Sequence, residues 1–174
     1  MGFQTIGKVA AAGALAVAML AMPGQIKAQA SGDTVLKAAD TPKLLPDHVY
    51  YKGQSAPSQL RNSGGVKFAD GSYMLATLVD TSGYSTGVAA KYQAYFITEV
   101  PLKIGGKDLA AGVYGVGFMA DNKLVVTDVG AHDVLWAATG LDAGMKRPMP
   151  LQVVADPAGG FRLYSGKQYV IFSR

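Results

Sequence analysis

The sequence has no cysteine, one glutamate, one tryptophan and two histidines among its 174 residues. The missing cysteine excludes a disulfide scaffold, a zinc ribbon and a thiol nucleophile. The length fits about one domain, not a large multidomain enzyme. Glu99 is the only glutamate, whereas eighteen of the 22 glycines and all nine tyrosines lie after Ala30. Glutamate favours helices, glycine disfavours them and tyrosine favours strands, so this balance predicts an all-β protein.

Long apolar runs are also missing. The longest, Val9 to Met22, is 14 residues, whereas a spanning helix needs about 20. Lys8 precedes the run, Pro23-Gly24 breaks it, and Ala28-Gln29-Ala30 follows. This three-part layout predicts a secretory signal peptide over residues 1–30, cleaved after Ala30. Export to the periplasm or beyond the cell follows, with no permanent membrane anchor after cleavage. Without Lys8 and Lys27, fourteen cations face twelve acids, a balance of +2. So small a charge, spread along the chain, is no nucleic-acid footprint.

Residues 31–48, rich in proline and polar side chains, read as a mobile lead. His48 to Asn62 reads as an irregular segment lying on the domain, with Val49, Tyr50, Tyr51 and Leu60 packed. Residues 49–174 read as a single antiparallel β domain. Its regular strands are Val66–Ala69, Tyr73–Val79, Lys91–Val100, Leu102–Ile104, Val113–Met119, Leu124–Val129, Val134–Ala138, Leu151–Ala155, Phe161–Tyr164 and Tyr169–Phe172. Asp70-Gly71, Gly105-Gly106 and Asp121-Asn122 supply turn chemistry between them. The expectation is a β-sandwich or a flattened β-barrel of about nine or ten strands.

Alternation places Tyr92, Ala94 and Phe96 on one face of the Lys91–Val100 strand, and Lys91, Gln93, Tyr95 and Ile97 on the other. Gly115 and Gly117 oppose Tyr114, Val116 and Phe118, leaving a bare strip. An aromatic ring, a second backbone or a ligand can fill such a strip. The ligand version makes Gly115, Gly117, Tyr95 and Trp136 a binding surface, with Arg61 and Gln93 orienting the ligand near the rim. It also predicts that Gly117→Leu abolishes binding with little loss of fold. The polar stretch Gly53–Asn62 reads either as a pocket mouth or as a strap satisfying its own backbone.

Catalytic constellations are thin. His132-Asp133 and Asp47-His48 are adjacent pairs, which a strand points to opposite faces, and the expectation is that no Gly-x-Ser-x-Gly elbow is present for either histidine to serve. His48 and His132 with Asp128 or Asp133 lack tight metal spacing. Glu99 and an aspartate would be needed for glycoside hydrolysis, and no spacing singles out a pair. Asp70, Asp80, Asp121, Asp142 and Asp156 read as turn residues. No cofactor is expected.

The stretches Gly53–Gly65, Lys91–Leu102, Gly112–Phe118, Gly130–Asp133 and Lys146–Ala155 together resemble a group of small secreted bacterial proteins of unknown function. The resemblance implies export and a single domain, and carries no functional residue. The expected function is an exported, non-catalytic binding or interaction module, for a small apolar or sugar-like ligand or an envelope or extracellular protein. The alternatives are a structural protein that self-assembles into a homo-oligomer through strand edges, using the doubly apolar last strand, and, as the weakest, a hydrolase using Glu99 or His132.

Overall fold

The computed structural model describes residues 32–174, so the expected signal peptide lies outside the described residues. Within them the protein is all-β, with fourteen strands and one six-residue helix. In chain order these are β1 (Thr34–Leu36), β2 (His48–Tyr51), β3 (Gln54–Lys67), β4 (Tyr73–Val79), α1 (Thr86–Lys91), β5 (Ala94–Thr98), β6 (Leu102–Ile104) and β7 (Lys107–Leu109). There follow β8 (Gly112–Met119), β9 (Lys123–Thr127), β10 (Asp133–Ala138), β11 (Gly140–Leu141), β12 (Met149–Ala155), β13 (Phe161–Gly166) and β14 (Gln168–Ser173).

The strands form two antiparallel sheets. The first runs β1-β3-β4-β5-β8-β9-β10 with β2 added on β3, and the second runs β12-β13-β14-β6-β7 with β11 added on β14. Neither sheet closes on itself, which corrects the flattened-barrel alternative. The expected nine or ten strands were too few because β1, β2, β7 and β11 are short and lack a long alternating pattern.

Period-two patterning explains the regular strands. In β5, Ala94, Phe96 and Thr98 are buried while Tyr95 and Ile97 are half-buried. Val66, Met74, Phe96, Val116 and Leu124 from the first sheet pack in one core with Ile104, Leu151, Leu163, Val170 and Phe172 from the second. Each fully buried large apolar side chain contributes about 1.5–3 kcal/mol. Gly105 and Gly106 take φ of 54° and 79° between β6 and β7, the positive values that a two-residue hairpin of this twist requires.

Two expectations need correction in the N-terminal part. The lead is built into the domain from β1 onward: Thr34, Val35 and Leu36 pair with Lys67, Val66 and Gly65, and Thr41 and Leu45 are buried. The segment from His48 to Asn62 is a hairpin, β2 on β3, and not irregular chain. β3 then bulges: Gln59 pairs with Leu78 and Ser63 with Thr77, so Leu60, Arg61 and Asn62 loop out of the ladder. The last strand offers no free edge. β13 lines one side of β14, and β6 and β11 share the other, so edge-to-edge assembly cannot use it.

Candidate functional site

The glycine strip of β8 is filled from within the chain. A Cβ on Gly115 would lie 2.6 Å from the Tyr92 ring and 2.9 Å from the Tyr51 ring. One on Gly117 would lie 2.5 Å from the Ala90 carbonyl oxygen and 2.8 Å from the Lys91 backbone. Both an aromatic ring and a second backbone therefore occupy the strip. Tyr51 and Tyr92 stack with ring centroids 3.7 Å apart, and Tyr84 meets both edge-on. With Val49, Ala56 and Val79 they form a second, small apolar layer on the outer face of the first sheet.

The hydroxyls in this layer are unequally served. Tyr51 Oη and Thr127 Oγ1 share a hydrogen bond of 2.7 Å, and Tyr84 Oη donates to the Tyr51 and Gln54 carbonyls at 3.1 and 3.0 Å. Tyr92 Oη is buried and finds no partner among the described residues. Burial pushes the Tyr92 phenol well above its ordinary ionisation range and raises those of Tyr51 and Tyr95 as well. Tyr92 lies opposite to its expected face because α1 ends at Lys91 and β5 begins only at Ala94, so the strand parity does not reach it.

A polar latch holds α1 against this layer. Lys91 Nζ donates to both Asp133 carboxylate oxygens at 2.8 and 3.0 Å and sits 5.6 Å above the Trp136 ring. Trp136 Nε1 donates to Asp133 Oδ2 at 3.1 Å. The Lys91 hydrogen bond keeps the Asp133 carboxyl below the usual carboxylate range. The Gln93 amide donates to the Ala90 and Phe118 carbonyls and accepts from the Phe118 N–H, all at 3.0–3.1 Å. Gln93 thus replaces backbone pairing where α1 meets β5.

The structure therefore brings Tyr95, Gly115, Gly117 and Trp136 to one face of the first sheet, but under cover. Gln93 is engaged with backbone at the edge of that face. Arg61 stands apart, exposed in the β3 bulge. In the same bulge Asn62 Nδ2 donates to Gln59 Oε1 at 3.1 Å, a bond between side chains. The expectation that Gly117→Leu spares the fold is corrected: the side chain would strike the backbone of α1.

A concavity of about 390 Å³ opens elsewhere, where the first strand of one sheet comes against the first strand of the other. Its walls are Leu36, Lys37, Ala38 and Ala39 on one side and Met149, Gln152, Val153 and Val154 on the other, with Ser63 between. Among the described residues β1 pairs with β3 alone and β12 with β13 alone, so each presents an open edge here. The close approach depends on small residues in β3. A Cβ on Gly64 would lie 3.2 Å from Val153 N and 3.3 Å from the Leu36 oxygen. Buried Thr41 and Ser63 share a hydroxyl hydrogen bond of 2.5 Å at its base. The wall turn is fixed by Lys37 N donating to Asp40 Oδ2 and Asp40 N to the Lys37 oxygen, both 2.9 Å. An apolar cleft of this volume with few polar groups has the usual anatomy of a small-molecule site.

Other constellations close on themselves. On the outer face of the second sheet, Arg162 bonds Asp156 and Tyr164, Tyr164 Oη donates to Asp142 at 3.1 Å, and the guanidinium lies 4.5 Å over Tyr169. Asp156 and Asp142 are thus more than turn residues. His132 Nδ1 is 3.1 Å from Asp128 Oδ2 in an exposed turn, where Asp128 Oδ1 also accepts the Gly130 and His132 N–H groups. Glu99 accepts the Tyr73 N–H at 2.8 Å. Among the described residues no group of three or more His, Asp or Glu side chains is placed to hold a metal ion.

The expectation that the chain holds no Gly-x-Ser-x-Gly elbow is corrected: Gly83-Tyr84-Ser85-Thr86-Gly87 carries that spacing and runs from the β4–α1 loop into α1. Ser85 caps α1 with φ −61° and ψ 153°. This is relaxed extended backbone, not the strained turn of an elbow, and no hydrogen bond joins Ser85 to His132.

No family model, curated protein or solved structure matches the chain. The fold and cleft therefore define only a class: an all-β protein of two antiparallel sheets with an apolar concavity where they meet.

Proposed function

We propose that the protein is an exported, non-catalytic binding module, with the two sheets as the halves of a sandwich and a small apolar ligand held in the cleft between β1 and β12. The observation that carries this reading is the cleft itself: six apolar side chains around one buried hydroxyl pair. Export rests on the N-terminal pattern and on the resemblance to small secreted bacterial proteins. The glycine strip loses its claim because the chain's own rings and helix fill it.

The test is a fluorescence titration of the mature protein with N-phenylnaphthylamine, a neutral probe that brightens in apolar sites. Saturable brightening is expected. Ala39→Trp, at an exposed position on the cleft wall, should weaken binding about tenfold, or about 1.4 kcal/mol. Equal binding by this variant would overturn the assignment of the cleft.

A further inference from the structure

We infer, resting on the cleft reading, that the natural ligand is an amphipathic carboxylate: an acyl chain lying between β1 and β12, with its acid group held by Lys37. Of the nine residues lining the cleft, only Lys37 is ionisable, and it is a cation. Among the described residues its ammonium forms no salt bridge, as is also true of Lys43, Lys52, Lys67, Lys107, Lys146 and Lys167; Lys37 differs from these in lining the cleft. Asp40 is the nearby acid in sequence, but its carboxylate is turned onto the Lys37 backbone N–H.

This distribution chooses between ligand types. The side chains of Leu36, Ala38, Ala39, Met149, Val153 and Val154 offer no hydrogen bonds to a ring of hydroxyls, which favours a hydrocarbon chain over a sugar. An unpaired ammonium at the rim favours an anionic end over a neutral or cationic one. Ser63 is already committed to Thr41 and to the Leu60 carbonyl. Gln152, whose amide donates only to the Met145 sulfur at 3.8 Å, remains able to donate a second hydrogen bond to the carboxylate. A long carbon chain ending in a carboxylate satisfies all of these groups together.

Calorimetric titration of the mature protein with decanoate, decanol and decyltrimethylammonium at neutral pH and low salt tests this. Decanoate should bind about fivefold tighter than decanol, the scale of one solvent-exposed ion pair, and the cation most weakly. The preference should shrink as salt is added. Lys37→Gln should bring the decanoate-to-decanol ratio close to one, with unchanged thermal unfolding as the check on folding. Equal binding of decanoate and decanol by the wild type would overturn the carboxylate inference and leave the cleft standing. A preference that survives Lys37→Gln would overturn it too, because the charge would then act elsewhere. Binding of neither compound would overturn both readings.

Discussion

The layer between the two sheets and the layer on the outer face of the first sheet are both built on buried apolar residues, but of different kinds. Between the sheets the buried set is aliphatic residues and phenylalanines. Outside, Tyr51, Tyr84 and Tyr92 do most of the covering. The difference follows from what lies opposite. Two sheets provide two complete walls, and plain hydrocarbon fills the gap between them. Among the described residues the outer face is roofed by a hairpin, the β4–α1 loop and a helix of six residues. Wide rings cover more area per residue there, and their hydroxyls tie the roof to backbone and to Thr127. The shared core should thus set global stability, while the tyrosine layer should open on its own.

Three substitutions break or sharpen that contrast. Phe96→Ala, at the centre of the shared core, should cost about 4 kcal/mol in urea unfolding. All spectroscopic probes should shift together, and a loss below about 1 kcal/mol would show that the sheets do not depend on it. Gly117→Leu should cost about 2 kcal/mol, through the collision with the Ala90 and Lys91 backbone. Here near-ultraviolet tyrosine dichroism should fade at lower urea than the strand signal; coincident transitions would merge the two layers into one unit. Tyr92→Phe removes a hydroxyl that has no partner among the described residues, so stability should stay within about 0.5 kcal/mol of wild type. A loss of several times that size would reveal a hydrogen bond the hydroxyl makes outside the protein.

The strands with strong alternation were legible from sequence, as were their turns. Asn122, with φ 58°, and Gly105-Gly106 sit where turn chemistry placed them. β1 and β2 were not legible, because proline and polar residues surround them and pairing with β3 orders them. Pro57 even lies inside β3, opposite His48. α1, with the sequence Thr86-Gly87-Val88-Ala89-Ala90-Lys91, has no apolar face of its own, and the bare backbone of Gly117 positions it. For the site, the filling of Gly115 and Gly117 was among the sequence's own alternatives. The cleft was not, since its walls come from opposite ends of the domain and neither Leu36–Ala39 nor Met149–Val154 carries a motif. Gln93 was singled out for its polarity, but its partners are backbone groups that only the fold brings near.

The latch on α1 has a consequence for watching the molecule at work. Trp136 is the protein's only indole, and it lies beneath the Lys91 ammonium with its N–H on Asp133. Its emission colour is thus a built-in optical gauge of whether the helix is seated. The cleft and the shared core contain no other indole to blur that signal, so opening of the tyrosine layer can be followed in the unlabelled protein in real time.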